Sequence, residues 1–239
     1  MENKMLLKTA AEEMNITLTD DMLDKFIKYK EMLVSWNEKM NLTAITEDKE
    51  VMIKHFADCI SILKHIDFKD GDTVIDVGTG AGFPGVPVKI AAPQIKITLL
   101  DSLNKRINFL TELSKELKLE NVECIHSRAE DGGQNTELRE KFDYCVSRAV
   151  ANLAVLSEYC LPFVKVGGTF VSLKGPDVAE EVKEGEAAIK KLGGKIERIE
   201  KIEIPMSDIT HSFVIIKKVA PTPKAYPRKA GTATKKPIK

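Results

Sequence analysis

Asp76, Gly78, Gly80, Gly82 and Gly85 crowd one short stretch at the end of the apolar run Thr73-Val-Ile-Asp-Val. A strand that ends in glycines brings backbone N–H groups up to a ligand with no side chain in the way. A second apolar run, Ile97-Thr-Leu-Leu, ends in Asp101, and an acid at the tip of a second strand can hold a ribose diol. Together these residues describe a pocket for a nucleoside-bearing cofactor.

Which cofactor it takes has more than one reading. Gly80-x-Gly82-x-x-Gly85 matches the dinucleotide fingerprint, which leaves a nicotinamide-dependent oxidoreductase open. Two features count against it. Asp76 stands ahead of Gly78 to give Asp-x-Gly-x-Gly-x-Gly, the order seen in S-adenosylmethionine-dependent methyltransferases. Pro84 and Pro87 also fall where a pyrophosphate-binding helix needs free N–H groups. A glycine-rich structural turn is the bland alternative.

The elements that must carry these residues can be read from hydrophobic periodicity. From Gly71 onward strand and helix patterns alternate, with strands expected at about 72–77, 96–101, 121–126, 142–147, 168–174, 195–203 and 212–219. Helices are expected over Asn104–Lys118 and Asp177–Leu192, and only Ile204 to His211 separates the last two strands, which suits an antiparallel hairpin. Residues 1–70 read as a helical cap, with Thr19 and Thr46 as helix N-caps. The expected fold is therefore α/β: a seven-stranded, mostly parallel Rossmann-like methyltransferase sheet with helices on both faces. It divides into the cap (1–70), a cofactor-binding domain (71–219) and a basic tail (220–239).

With 239 residues, 43% hydrophobic and 30% charged, the composition is that of an ordinary soluble globular protein. No apolar run approaches the ~20 residues of a membrane span and no signal-peptide core is present, so a cytoplasmic protein is expected. Cys59, Cys124, Cys145 and Cys160 are scattered and read as buried free thiols, with no metal site. The net charge of zero hides an asymmetry: no acid occurs after Asp208, whereas eight bases do. A basic end on an acidic body points to a polyanion. Arg228, Lys229, Lys235 and Lys236 are thus expected to contact RNA phosphates, with nothing nearby to neutralise them and no part in the cofactor pocket. A solvated end without function is the alternative.

Further motifs are spread in order along the chain. They are Trp36-Asn37 with Asn41-Leu42-Thr43, Lys54-His55-x-x-Asp58, the glycine loop ending in Phe83-Pro84-Gly85, and Leu100-Asp101-Ser102 with Lys105-Arg106. After these come Ser127-Arg128-Ala129-Glu130, Ser147-Arg148-Ala149, Leu173-Lys174-Gly175 and Tyr226-Pro227-Arg228-Lys229-x-Gly231. Over nearly its whole length the chain resembles the bacterial 16S ribosomal RNA guanine-N7 methyltransferases of the RsmG/GidB family. Cys59 and Ala233 depart from the family pattern, where Ser and Pro are usual. The resemblance implies S-adenosylmethionine as cofactor, held at Gly78, Phe83, Ala129, Glu130 and Arg148, with Arg148 at the catalytic centre. It also implies 16S rRNA or the small ribosomal subunit as partner. A monomer is expected, and no membrane contact.

The residues at the strand ends agree with an N7 target without requiring one. Exocyclic amines lose a proton and are often held by an Asn-Pro-Pro-Tyr type loop, whereas this chain has Ser147-Arg148-Ala149-Val150. Pyrimidine C5 needs a cysteine nucleophile, and Cys145 reads as buried. Guanine N7 already carries a lone pair, so its site needs only positioning and shielding from water. His55, on the inner face of its helix, reads more readily as a core histidine than a functional one. Lys174 ends the fifth strand, where it either reaches an RNA phosphate or caps the adjacent turn. A non-catalytic ribosome-associated binding protein remains the other class of function.

Overall fold

The computed structural model describes residues 2–148 and 151–239. Ala149 and Val150, which complete the Ser147-Arg148 stretch, lie outside the described residues. Seven strands form one sheet: β1 (Thr73–Val77), β2 (Lys96–Asp101), β3 (Val122–His126), β4 (Phe142–Ser147), β5 (Val164–Lys174), β6 (Gly194–Glu203) and β7 (Thr210–Lys218). Their order is β3-β2-β1-β4-β5-β7-β6. All neighbours pair in parallel except at β7, which runs antiparallel to both β5 and β6. The expected architecture and the final hairpin are what forms. Strand order reverses between β1 and β4, and in open α/β sheets ligands bind in the crevice at that switch point.

Side chains alternate across the strands, and both sets are apolar, because helices cover both faces. Val74, Leu99, Val146, Val171, Phe213 and Ile215 point to one face, and Ile75, Leu100, Cys145, Phe170, Val214 and Ile216 to the other. The first face shares its core with the N-terminal helices Glu2–Glu13 and Asp20–Met40. The helix Asp20–Met40 begins where Thr19 Oγ1 accepts from the Met22 amide and ends at Asn41 in the left-handed region. It buries Leu23, Phe26, Tyr29 and Leu33, spaced to fall on one stripe. Each such side chain contributes about 1.5–3 kcal/mol by leaving water.

Two local readings of the sequence need correction. Glu47, not Thr46, caps the next helical segment, its carboxylate accepting from the Glu50 amide at 2.8 Å. β5 begins at Val164, ahead of the expected 168, because Gly167-Gly168 is a bulge within a strand and not a turn before one. Gly168 lies so near β4 that a Cβ there would sit 2.6 Å from the Asp143 carbonyl oxygen.

Periodicity also could not show that the segment 48–64 changes pitch. Val51–Ala57 is π-helical, and the Asp58 amide reaches back to the Ile53 carbonyl. This wide turn carries Lys54 and His55 and leads into Asp58. The basic tail, finally, packs on the body: Thr222, Ala233 and Ile238 are buried.

Candidate active site

The glycine loop is held from beneath. Asp76 is fully buried, and its Oδ2 accepts from Thr79 Oγ1 at 2.7 Å and from the Gly85 amide at 2.8 Å. Its Oδ1 has no partner among the described residues, and burial pushes the carboxyl up to about 7. Gly82 (φ +103°) is the packed glycine, since a Cβ there would meet Tyr29 Oη at 2.6 Å and Val86 at 2.8 Å. Tyr29 in turn donates to the Ala81 carbonyl at 2.5 Å. Gly78 (φ +74°) is the open one, with nothing within 4 Å of its Cβ position.

Gly78 floors a cavity of about 360 Å³, with Asp101, Arg106, Ala129, Glu130, Tyr159 and Gly231 among its walls. Asp101 is fixed in it. Its Oδ2 accepts from the Gly80 amide at 2.9 Å and its Oδ1 from the Leu103 amide at 2.9 Å, while Arg106 Nη1 stands 3.3 Å from Oδ2. Gly80 thus acts on the cavity through Asp101 and is not itself among the lining residues. The donor set fits S-adenosylmethionine. A side-chain-free floor receives the methionine end, Asp101 keeps one lone-pair site, on Oδ1, for a ribose hydroxyl, and Ala129 leaves room for an adenine.

The far wall comes from the tail. Glu130 Oε1 accepts from the Gly231 amide at 3.0 Å, and Tyr159 Oη pairs with Thr234 Oγ1 at 3.1 Å. Arg228 fixes that wall. Its Nε lies 2.9 Å from Glu158 Oε1 and its Nη2 2.6 Å from Oε2, and Glu158 is 1% exposed. Arg139 gathers the carbonyls of Gly133, Thr222 and Tyr226 at 2.7, 2.7 and 2.8 Å. The expectation that nothing neutralises Arg228 is therefore corrected, as is that of a tail apart from the cofactor pocket. Lys229, Lys235 and Lys236 are exposed and have no carboxylate partner among the described residues.

A second cavity of about 660 Å³ opens beside the first along the carboxyl edge, at the ends of β4 and β5 and the start of β7. Asp58 lies at its base, wholly buried between two bases: Arg148 Nη1 is 3.0 Å from its Oδ2 and His211 Nδ1 2.5 Å from its Oδ1. Arg148 Nη2 also stands 3.3 Å from His55 Nδ1. A guanidinium only donates, so Nδ1 accepts, and the Nε2 proton goes to Thr43 Oγ1 at 2.8 Å. Burial, and then the charge of Arg148, push His55 down to about 4, so the ring is neutral. Phe83 is 6% exposed and stacks on His55 with centroids 4.4 Å apart, while the Arg148 guanidinium lies 4.8 Å above its ring. Phe83 thus supports the second cavity, and lies outside the lining of the first. Lys174 Nζ is 2.6 Å from Glu181 Oε1 and 2.5 Å from the Ala151 carbonyl oxygen.

Several of these partners carried no strong signal. Asp58 was visible in Lys54-His55-x-x-Asp58, where an acid on the inner face of a helix demands a buried base. Arg106 stood in the motif that follows Asp101, whereas Glu158, Glu181 and His211 come from distant segments and offered none.

A model of the GidB family, described as rRNA small subunit methyltransferase G, matches residues 22–210. The chain belongs to that family. Its members are S-adenosylmethionine-dependent methyltransferases. The chain is similar to the ribosomal RNA small subunit methyltransferase G of Clostridium perfringens, 55% identical over 234 residues, 98% of each chain. The corresponding protein of Alkaliphilus oremlandii is 56% identical over 239 residues, 100% of each. Among solved structures, an S-adenosylmethionine-dependent O-methyltransferase of Thermotoga maritima shares the fold at a TM-score of 0.55 and 20% identity, covering 79% of this chain and 71% of that one. M. jannaschii TYW2, solved in complex with AdoMet, does so at 0.51 and 17%, covering 68% and 77%. The family model ends before His211 and the tail, whereas the relative from Alkaliphilus oremlandii aligns with the whole chain.

Proposed function

We propose that the protein moves a methyl group from S-adenosylmethionine to N7 of a guanine in 16S ribosomal RNA, as a monomeric cytoplasmic enzyme. The observation that carries this reading is the state of the bases and acids around Arg148. Both nitrogens of His55 are engaged and both oxygens of Asp58 are paired with Arg148 and His211, so neither is placed to deprotonate an acceptor. An N7 target needs no proton removed by His211 Nε2 or Glu181 Oε2, which have no partner among the described residues. An N7 acceptor has no proton to give up.

The bound cofactor supplies an electrophilic methyl on a sulfonium. The sulfur–carbon bond would break as a nitrogen–carbon bond forms, leaving a neutral thioether and the positive charge on the purine. On this reading Gly78, Asp101, Ala129 and Glu130 hold the cofactor, with Gly80 orienting Asp101. Arg148, stacked on Phe83 and fixed by Asp58, lines the larger cavity and not the cofactor cavity, so its role is to align the acceptor and not to hold the cofactor as the resemblance implied. Phe83 and the π-helical turn exclude water beneath it. Lys229, Lys235 and Lys236 contact RNA phosphates; Arg228 serves by holding the tail, and Lys174 acts within the acceptor cavity. The helical segment 1–70 works as one side of the methyltransferase core. Incubating the protein with small ribosomal subunits from cells that lack it, then mapping 7-methylguanosine in 16S rRNA, tests the proposal. No 7-methylguanosine in the treated RNA would remove the N7 assignment.

A further inference from the structure

We infer that the larger cavity receives the target guanine, with Lys174 and Glu181 reading its Watson–Crick edge; this rests on the guanine-N7 reading of the function. Three observations point there. The cavity, about 660 Å³, has ample room for a nucleotide, and Asn152 in its wall directly follows Ala151, which lines the cofactor cavity. Its two carboxylates differ, because Asp58 has both oxygens committed to Arg148 and His211, whereas Glu181 Oε2 has no partner among the described residues. The third is the ammonium of Lys174, held 2.6 Å from Glu181 Oε1 with its side chain only 7% exposed. A hydrogen-bond donor and an acceptor thus stand side by side in fixed positions.

That pair is the complement of one base edge. Guanine presents an acceptor, O6, beside two donors, N1–H and the N2 amine. Lys174 donates to O6 with its remaining proton, and Glu181 accepts from N1–H and N2. Adenine presents a donor and then an acceptor at the same places, so both contacts become repulsive. Unpaired RNA bases are commonly read on this edge once splayed from the stack. N7 lies on the adjoining Hoogsteen edge, beside O6, and stays free to meet the methyl group.

The test uses 16S rRNA carrying either guanosine or inosine at the mapped target position, assembled into small subunits. Inosine keeps N7, O6 and N1–H and lacks only the N2 amine. For the wild-type enzyme, kcat/KM should fall roughly tenfold or more on inosine, as for loss of one specific base contact. Glu181→Ala should slow guanosine and bring the guanosine-to-inosine ratio close to one. S-adenosylhomocysteine binding, measured by calorimetry, should stay at the wild-type value and report an intact fold. Glu181→Gln gives a second, isosteric reading should the alanine variant bind poorly. A wild-type ratio retained in a folded Glu181 variant would overturn the inference while leaving the function standing. A wild-type enzyme that leaves N7 of guanosine unmodified overturns the functional reading, and the inference with it.

Discussion

The guanidinium of Arg228 clasps the carboxylate of Glu158, a side chain buried in the helix Leu153–Cys160 on the far side of the cofactor cavity wall. Removing Arg228 leaves a carboxylate stranded in the core, which costs about 1–3 kcal/mol even with part of the pair solvated. Arg228→Ala should lower stability by that amount in urea titration. It should also weaken S-adenosylmethionine binding, since Arg228 anchors the tail three residues before Gly231, whose amide meets Glu130 in the cavity wall. Truncation after Val219 should lower cofactor affinity further. Unchanged calorimetric affinity in both variants would show that the tail wall does not matter to the pocket.

The exposed tail lysines should behave differently. Lys229→Ala, Lys235→Ala and Lys236→Ala should leave cofactor affinity alone. Each should reduce the slope of log RNA affinity against log salt by about 0.7–0.9 where a phosphate contact is lost. Filter-binding titrations over a range of salt check this.

Asp101→Ala should weaken S-adenosylmethionine binding by about 1.5–3 kcal/mol through lost bonds to a charged group. The same change frees Arg106 and the Gly80 amide. Arg106→Ala alone should have a smaller effect, so the ratio of the two affinities measures how much of Asp101's role is direct.

Two glycines of one loop should fail in different ways. Gly78→Ala faces open space, so it should fold at a cost near 1–2 kcal/mol for its left-handed backbone and lose the cofactor. Gly82→Ala adds a collision with Tyr29 and Val86 to the same backbone strain, and its main loss should be in the melting temperature. Equal losses of stability would show that the loop does not divide these tasks.

His55 gives the fold a pH dependence of predictable sign. Its native value of about 4 lies below the ordinary 6.5, so the unfolded chain takes up the proton first as pH falls. Its contribution is whole above about pH 6.5 and is lost toward pH 4, the loss reaching about 2 kcal/mol by pH 5. His55→Gln should therefore flatten the stability profile between pH 7 and 5.

The sheet was legible because both of its faces are buried, so strands read as apolar runs whose ends needed only turn signals. The start of β5 was placed late because the Gly167-Gly168 bulge interrupts the apolar run that marks the rest of the strand. In the site, the cofactor half was readable since Asp76 to Gly85 and Asp101 sit at consecutive strand ends, where spacing along the chain maps onto space. The acceptor half was legible only in part: Asp58 and Arg148 stood in motifs, but their meeting with His211, and with Glu181 in one cavity, requires four separate elements to pack. The tail's charge hid its packing: Ala233 and Ile238 are two small apolar clues among lysines.

The π-helical turn Val51–Ala57 holds one residue more than an α-helix of the same height would need. A single deletion there can be taken up by rewinding the segment as ordinary helix, which keeps Asp58 facing Arg148. A single insertion has no such slack and would turn Asp58 and its C-terminal neighbours by about 100° around the helix axis. Asp58 would then leave Arg148, although no residue of the cavity itself had been replaced, so in this segment a residue gained should be tolerated less well than a residue lost.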